Sequence, residues 1–141
     1  VVISRKDFEL LERFDADGGI ALSIYLDVST PALREGALQR IRARIGSLGD
    51  ADGADRLQTI SEDLDMVELY LGTSAARSLR RVAIFSCANQ LFWRAYPLSD
   101  LPEEYVAVGS RFDVAPLRRQ ASARAAADRV PTLVPDLLPQ G

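Results

Sequence analysis

The 141-residue chain has no histidine and one cysteine. Without histidine, the commonest general base and the commonest metal ligand are missing. A lone thiol, Cys87, cannot build a thiolate metal site, and carboxylates by themselves would suit only a hard cation. No cofactor and no catalytic residue are therefore expected. Cysteine scarcity and the lack of an apolar leader favour a reducing, cytoplasmic setting. No apolar run approaches the roughly 20 residues of a membrane span, so no membrane partner is expected. Lysine is almost absent: 16 of the 17 basic residues are arginine, which coding bias explains more simply than phosphate binding.

Signature loops are missing as well. Gly18-Gly19 precedes a strand-like run and carries no Lys-Ser/Thr, so it reads as a turn and not a phosphate loop. Gly49 to Gly53 holds Asp50 and Asp52, but lacks the remaining ligands and final glutamate of a calcium loop. Cys87 and Ser86 have no histidine to activate them. Cys87 reads as a small buried or turn residue.

What is present is an ordinary globular composition, 48% hydrophobic and 26% charged. Net charge is −3 but unevenly spread. Arg34–Arg44 holds four arginines and one glutamate, and Arg111–Arg129 holds five arginines and two aspartates. Between them, Asp50–Glu68 holds seven acids and one arginine. The plainest reading pairs the basic and acidic blocks as two helices that screen each other.

Arg81–Pro97, RVAIFSCANQLFWRAYP, organises the chain. Two β-forming runs, Val82–Ser86 and Leu91–Tyr96, flank the polar break Cys87–Gln90 and predict a hairpin in the middle of a sheet. Along the second run Phe92, Arg94 and Tyr96 share one face, and Leu91, Trp93 and Ala95 the other. Aromatics alternating with arginine can stack bases, although core filling is the simpler reading.

Upstream, Ser4 and Asp7 mark the start of a short helix over about Arg5–Phe14. Ile20–Val28 alternates as a strand, with Ile20, Leu22, Ile24 and Leu26 opposite Ala21, Ser23, Tyr25 and Asp27. Tyr25 and Asp27 read as structural or surface residues. Ser29-Thr30-Pro31 opens a helix over about Ala32–Leu48, and a second follows over about Ala54–Leu71 as an αα-hairpin. Thr73–Arg80 is a connector with one helical turn. Leu98–Glu104 is a loop, and Tyr105–Val108 a further strand. The expected class is α+β, in the order α-β-α-α-β-β-β-(α), with helices on a small mixed sheet. Its first strand reaches the second over a helical crossover, and the last three run as a meander. Pro116–Val130 looks helical, and the proline-bearing tail keeps Val130, Leu133, Val134, Leu137 and Leu138. Residues 1–117 form the expected domain, and 118–141 a helix, tail or truncated linker.

Four stretches resemble one family. Ser23-Ile24-Tyr25-Leu26-Asp27 resembles its first-strand signature. Val82–Cys87 and Phe92–Leu98 resemble its next two strands, and Val106–Gly109 with Pro116-Leu117 resembles its closing segment. The family comprises bacterial proteins similar to archaeo-eukaryotic class-1 peptide chain release factors, and the resemblance spans about Ile20 to Leu117. It implies the N-terminal domain of a three-domain architecture, with helices around a small mixed sheet, acting at the ribosomal A site. Peptidyl-tRNA hydrolysis in those relatives belongs to a middle domain that is absent from this chain. The Asn-Ile-Lys-Ser tip of stop-codon readers corresponds to Gly49-Asp50-Ala51-Asp52-Gly53, whose acids would repel phosphate. The Tyr-x-Cys-x-x-x-Phe codon element is absent too, so codon reading is not expected.

The resulting expectation is a non-catalytic, ribosome-associated binding domain of a translation, rescue or hibernation protein. The ribosome or its RNA is the partner, with Arg34, Arg40, Arg44, Arg94, Arg111, Arg118 and Arg119 as contact candidates. One alternative is a peptidyl-tRNA hydrolase lacking its catalytic domain. Another is a self-associating domain, a homodimer held through the apolar tail.

Overall fold

The computed structural model describes residues 3–47 and 57–119. The tip Gly49–Gly53 and the tail beyond residue 119 lie outside that range. The class is α+β. In chain order the elements are α1 (Arg5–Arg13), β1 (Ala21–Asp27), α2 (Pro31–Glu35), α3 (Ala37–Gly46), α4 (Ser61–Leu71), α5 (Ser74–Arg77), β2 (Arg81–Cys87), β3 (Phe92–Pro97) and β4 (Tyr105–Gly109). A 3-10 turn, Ala88–Gln90, joins β2 to β3, and residues 115–119 are helical after β4.

Helix starts follow the sequence signals. Ser4 Oγ accepts from the Asp7 N–H, and Thr30 Oγ1 from the Leu33 N–H with Pro31 in the first turn. Each satisfies a donor that the first helical turn leaves without a partner. The expected single helix after Thr30 is two helices, broken at Gly36. Glycine is a poor interior helix residue, and beyond it α3 packs Ile41 and Ile45 against the sheet.

All three strand pairings are antiparallel, in the order β3-β2-β1-β4. The sheet is therefore not mixed, and the last three strands do not form a meander. β2 and β3 make the expected hairpin, but β3 is an edge strand and not central. β4 crosses to the far side and pairs with β1, Ile24 opposite Val106. The reason lies in β1: it is buried along both faces, so both of its edges need a strand to satisfy its amides.

Two apolar layers result. Leu22, Ile24, Leu26 and Ile84 face α3 and α4, meeting Ile41, Ile45, Leu64 and Val67. Tyr25, Ala83, Phe85 and Cys87 face α1 and the segment after β4, meeting Leu11, Phe112, Val114 and Leu117. Burial raises the Cys87 thiol pKa, opposite to what a reactive thiolate requires.

The free edge of β3 is guarded. Leu98 N–H donates to Arg81 O, so antiparallel alternation turns the main chain of Trp93, Ala95 and Pro97 away from β2. Pro97 has no N–H to offer there, and Arg94 Nη1 donates to Trp93 O at 2.8 Å. Proline and charge are recognised means of discouraging edge-to-edge pairing.

At the other end of β1, Asp27 Oδ1 accepts from the Ser29 N–H at 2.9 Å. Hydrogen bonding from Ser29 lowers the Asp27 pKa, and Arg81 and Arg40 lower it further. A carboxyl depressed in the folded state stabilises above its unfolded pKa of about 3.9, and that contribution fades as pH falls through the lower folded value. Asp27→Asn should therefore narrow its stability gap to wild type below about pH 4. Urea midpoints at pH 7 and pH 3 check this; an undiminished gap at pH 3 would remove the titration as cause.

Candidate nucleic-acid interface

The α1 side of the sheet is where rings and arginines gather. Phe14 stacks on Phe112 with centroids 4.5 Å apart, and lies 4.7 Å from Phe92. Phe112 closes over Phe85 in an edge contact at 5.4 Å. Phe85 and Phe112 are buried, whereas Phe8, Phe14 and Phe92 stay half-buried and form the rim. The guanidinium of Arg94 sits over the Phe92 ring at 4.8 Å, and that of Arg118 over Phe8 at 5.8 Å. Such stacking on ring faces is favoured by the ring quadrupole and leaves the cation partly open.

Four of the seven sequence-named arginines lie on this side: Arg94, Arg111, Arg118 and Arg119. Two are tied to acids of the same layer. Arg118 pairs with Glu12, and Arg111 lies 4.0 Å from Asp15. These pairs are exposed and each contributes little to stability. Arg94 and Arg119 are exposed and form no ion pair among the described residues.

The other three are elsewhere. Arg44 is exposed on α3, on the opposite side of the sheet. Arg34 points inward: its Nη2 donates to Val28 O and Arg77 O, and its Nε is buried without a hydrogen bond. Arg40 is held most firmly. Its Nε and Nη2 donate to the two carboxylate oxygens of Glu104, each at 2.9 Å, and Nη1 and Nη2 reach Leu33 O and Asp27 O. The screening partner expected in α4 is thus replaced, for Arg40, by Glu104 just before β4.

Sequence reading missed three acids that shape the domain. Besides Glu104, Asp113 uses its main chain to hold the segment after β4 across β1, and its carboxylate to bond β4 and the next turn. Its N–H donates to Ser23 Oγ, its carbonyl accepts from Tyr25 Oη at 2.6 Å, and its carboxylate accepts from Tyr105 Oη and the Ala115 N–H. Tyr25 is fully buried, and burial raises its pKa strongly, with Asp113 adding to the shift. The Asp113 hydrogen bond raises the pKa of Tyr105. The available signal was Asp113 placed three residues before Pro116, a helix-entry pattern. Tyr25→Phe removes one buried hydrogen bond and should cost about 1 kcal/mol, read as a lower urea midpoint at unchanged slope. No loss would mean that the Asp113 carbonyl finds water instead.

The third acid is Asp63. It is buried in α4, and its Oδ1 accepts from Ser86 Oγ at 2.5 Å and from the Ala88 N–H at 2.9 Å. Its position beside Ile60 and Val67, on the flank of the apolar stripe, was the legible hint.

Open cavities lie among the described residues. One of about 580 Å³ is lined by Leu101, Tyr105, Asp113, Pro116 and Arg119. Another of about 400 Å³ lies between Arg34, Leu38, Glu68 and Arg77. The first contains the hydrogen bond from Tyr105 Oη to the Asp113 carboxylate. Among the described residues no group of three or more acidic or cysteine side chains could hold a metal. Nor is any helix there long and apolar enough to cross a membrane. No protein-family model matches the chain, and no curated protein matches it. Guanidinium groups over ring faces, and exposed arginines with no ion pair among the described residues, are groups of the kind that contact phosphates and base faces.

Proposed function

We propose that the chain is a non-catalytic binding domain of a ribosome-associated, release-factor-like protein working in translation, rescue or hibernation. One observation carries the reading. The stretches that resemble the family, Ser23–Asp27, Val82–Cys87, Phe92–Leu98 and Val106–Gly109, fall on all four strands of one sheet. Their order along the chain follows the order of the strands, and the remaining stretch, Pro116-Leu117, lies in the helical segment after β4. The exposed arginines Arg94 and Arg119 on one side, and Arg44 on the other, supply the phosphate contacts. The partner is ribosomal RNA, and the setting is cytoplasmic.

Co-sedimentation with purified ribosomes across a salt series tests this. Each arginine that meets phosphate should contribute about 0.7–0.9 to the slope of log affinity against log salt. The triple variant Arg44→Glu, Arg94→Glu, Arg119→Glu should bind at least about tenfold more weakly and with a shallower slope. Absence of binding by the wild-type chain at low salt would overturn the reading.

A further inference from the structure

The hairpin tip between β2 and β3 holds an oddity that RNA binding does not use. Leu91 is 96% exposed, the most exposed large apolar side chain among the described residues. Its backbone is left-handed, φ 54° and ψ 37°, a region that glycine or asparagine occupies far more readily. Both features are unfavourable for the isolated domain. Solvent exposure removes any packing gain, and the backbone adds strain. Strain of this kind concentrates at functional sites.

The tip is also braced from both sides of the sheet. From the α4 side, Asp63 holds Ser86 and the Ala88 N–H, and Leu91 N–H closes the turn on Ala88 O at 3.0 Å. From the α1 side, Gln90 Nε2 and Asn89 Nδ2 donate to Ala16 O. A Cβ on Gly19 would stand 2.8 Å from Asn89 Nδ2 and 2.9 Å from Asn89 Cβ, so the two segments meet too closely for any side chain there. A leucine held out on a rigid mount loses little freedom when it inserts into a pocket, which is how anchor residues gain affinity.

The surroundings indicate what that pocket belongs to. The bracing loop exposes Asp17 beside the Arg111-paired Asp15, and Glu62 is exposed beside Asp63 at the start of α4. Acids at this position repel phosphate and attract basic side chains. We infer that Leu91 is a preorganised anchor for a basic protein surface bearing an apolar pocket, and that this surface is a protein component of the ribosome. The inference rests on the proposed ribosome association and adds a second, protein-directed contact to its arginine contacts.

Leu91→Asn tests it, because asparagine accepts the left-handed backbone but cannot fill an apolar pocket. The variant should keep a thermal midpoint at or above wild type while sedimenting with ribosomes at least about tenfold more weakly. That loss should persist at high salt, unlike the loss in the triple arginine variant. A photoreactive benzoyl-phenylalanine at position 91 should yield an adduct with a ribosomal protein that survives ribonuclease. Undiminished binding by Leu91→Asn, or an adduct with RNA, overturns the anchor while leaving ribosome association standing. Failure of the wild-type chain to bind ribosomes overturns both.

Discussion

Arg40→Ala is expected to cost the domain about 3 kcal/mol, a result more typical of a core residue than of a surface arginine. The side chain is 28% exposed and that of its partner Glu104 only 14%. Removing the guanidinium strands a largely buried carboxylate and leaves the Leu33 and Asp27 carbonyls without that donor. Glu104 Oε2 also accepts from the Asp27 N–H at 3.0 Å, so the disturbance reaches the end of β1. Breaking a buried pair typically costs about 3–5 kcal/mol, and the partial exposure of Arg40 places it at the low end. Pairing Arg40→Met with Glu104→Gln should recover a substantial part, because the stranded charge disappears with its partner. Urea unfolding of wild type, Arg40→Met, Glu104→Gln and the double variant measures the coupling directly. Additive losses would show that the two residues act independently. Ribosome binding by Arg40→Ala, under conditions where it remains folded, should match wild type, since this cation is committed inside the domain.

Asp63→Ala is expected to cost about 2–4 kcal/mol. The carboxylate is only 3% exposed, and both of its bonds end on the same oxygen, Oδ1. Truncation leaves the buried Ser86 hydroxyl and the half-buried Ala88 amide without an acceptor, at about 1–3 kcal/mol each. Asp63→Asn should cost far less, because its amide oxygen can take the position of Oδ1 and serve both donors. Equal losses for the two variants would mean that the charge matters more than the hydrogen bonds. The alanine variant should also loosen the hairpin tip. Amide hydrogen exchange at Asn89–Leu91 should then quicken relative to the β1–β2 ladder. Protection unchanged at the tip would show that the Ala16 contacts alone hold it.

These expectations reverse part of what composition implied. The arginine-rich block from Arg34 to Arg44 reads as one basic helix screened by the acidic helix that follows it. Yet Arg34 and Arg40 turn to backbone carbonyls and Glu104, while Arg44 stays in solvent. Nothing local distinguishes the three. The difference arises because the break at Gly36 starts a new helix, and α3 then carries Arg40 over the end of β1, where Glu104 arrives from a distant part of the chain.

Local signals did determine the elements themselves. Ser4 and Thr30 capped helices where expected, the alternation of Ile20–Val28 became a strand, and the break at Cys87–Gln90 became the turn of a hairpin. These rest on interactions spanning a few residues, so a one-dimensional pattern contains them.

Strand order, the buried roles of Asp63, Glu104 and Asp113, and the exposure of Leu91 were settled only by tertiary structure. β4 pairs with β1 because β1, buried on both faces, required a ladder on each edge, and no pattern within Tyr105–Gly109 records that requirement. An aspartate in an amphipathic helix reads the same whether water or a serine receives it. Which one does depends on residues 23 positions away in the chain, brought within hydrogen-bond reach only when the sheet and helices close around them.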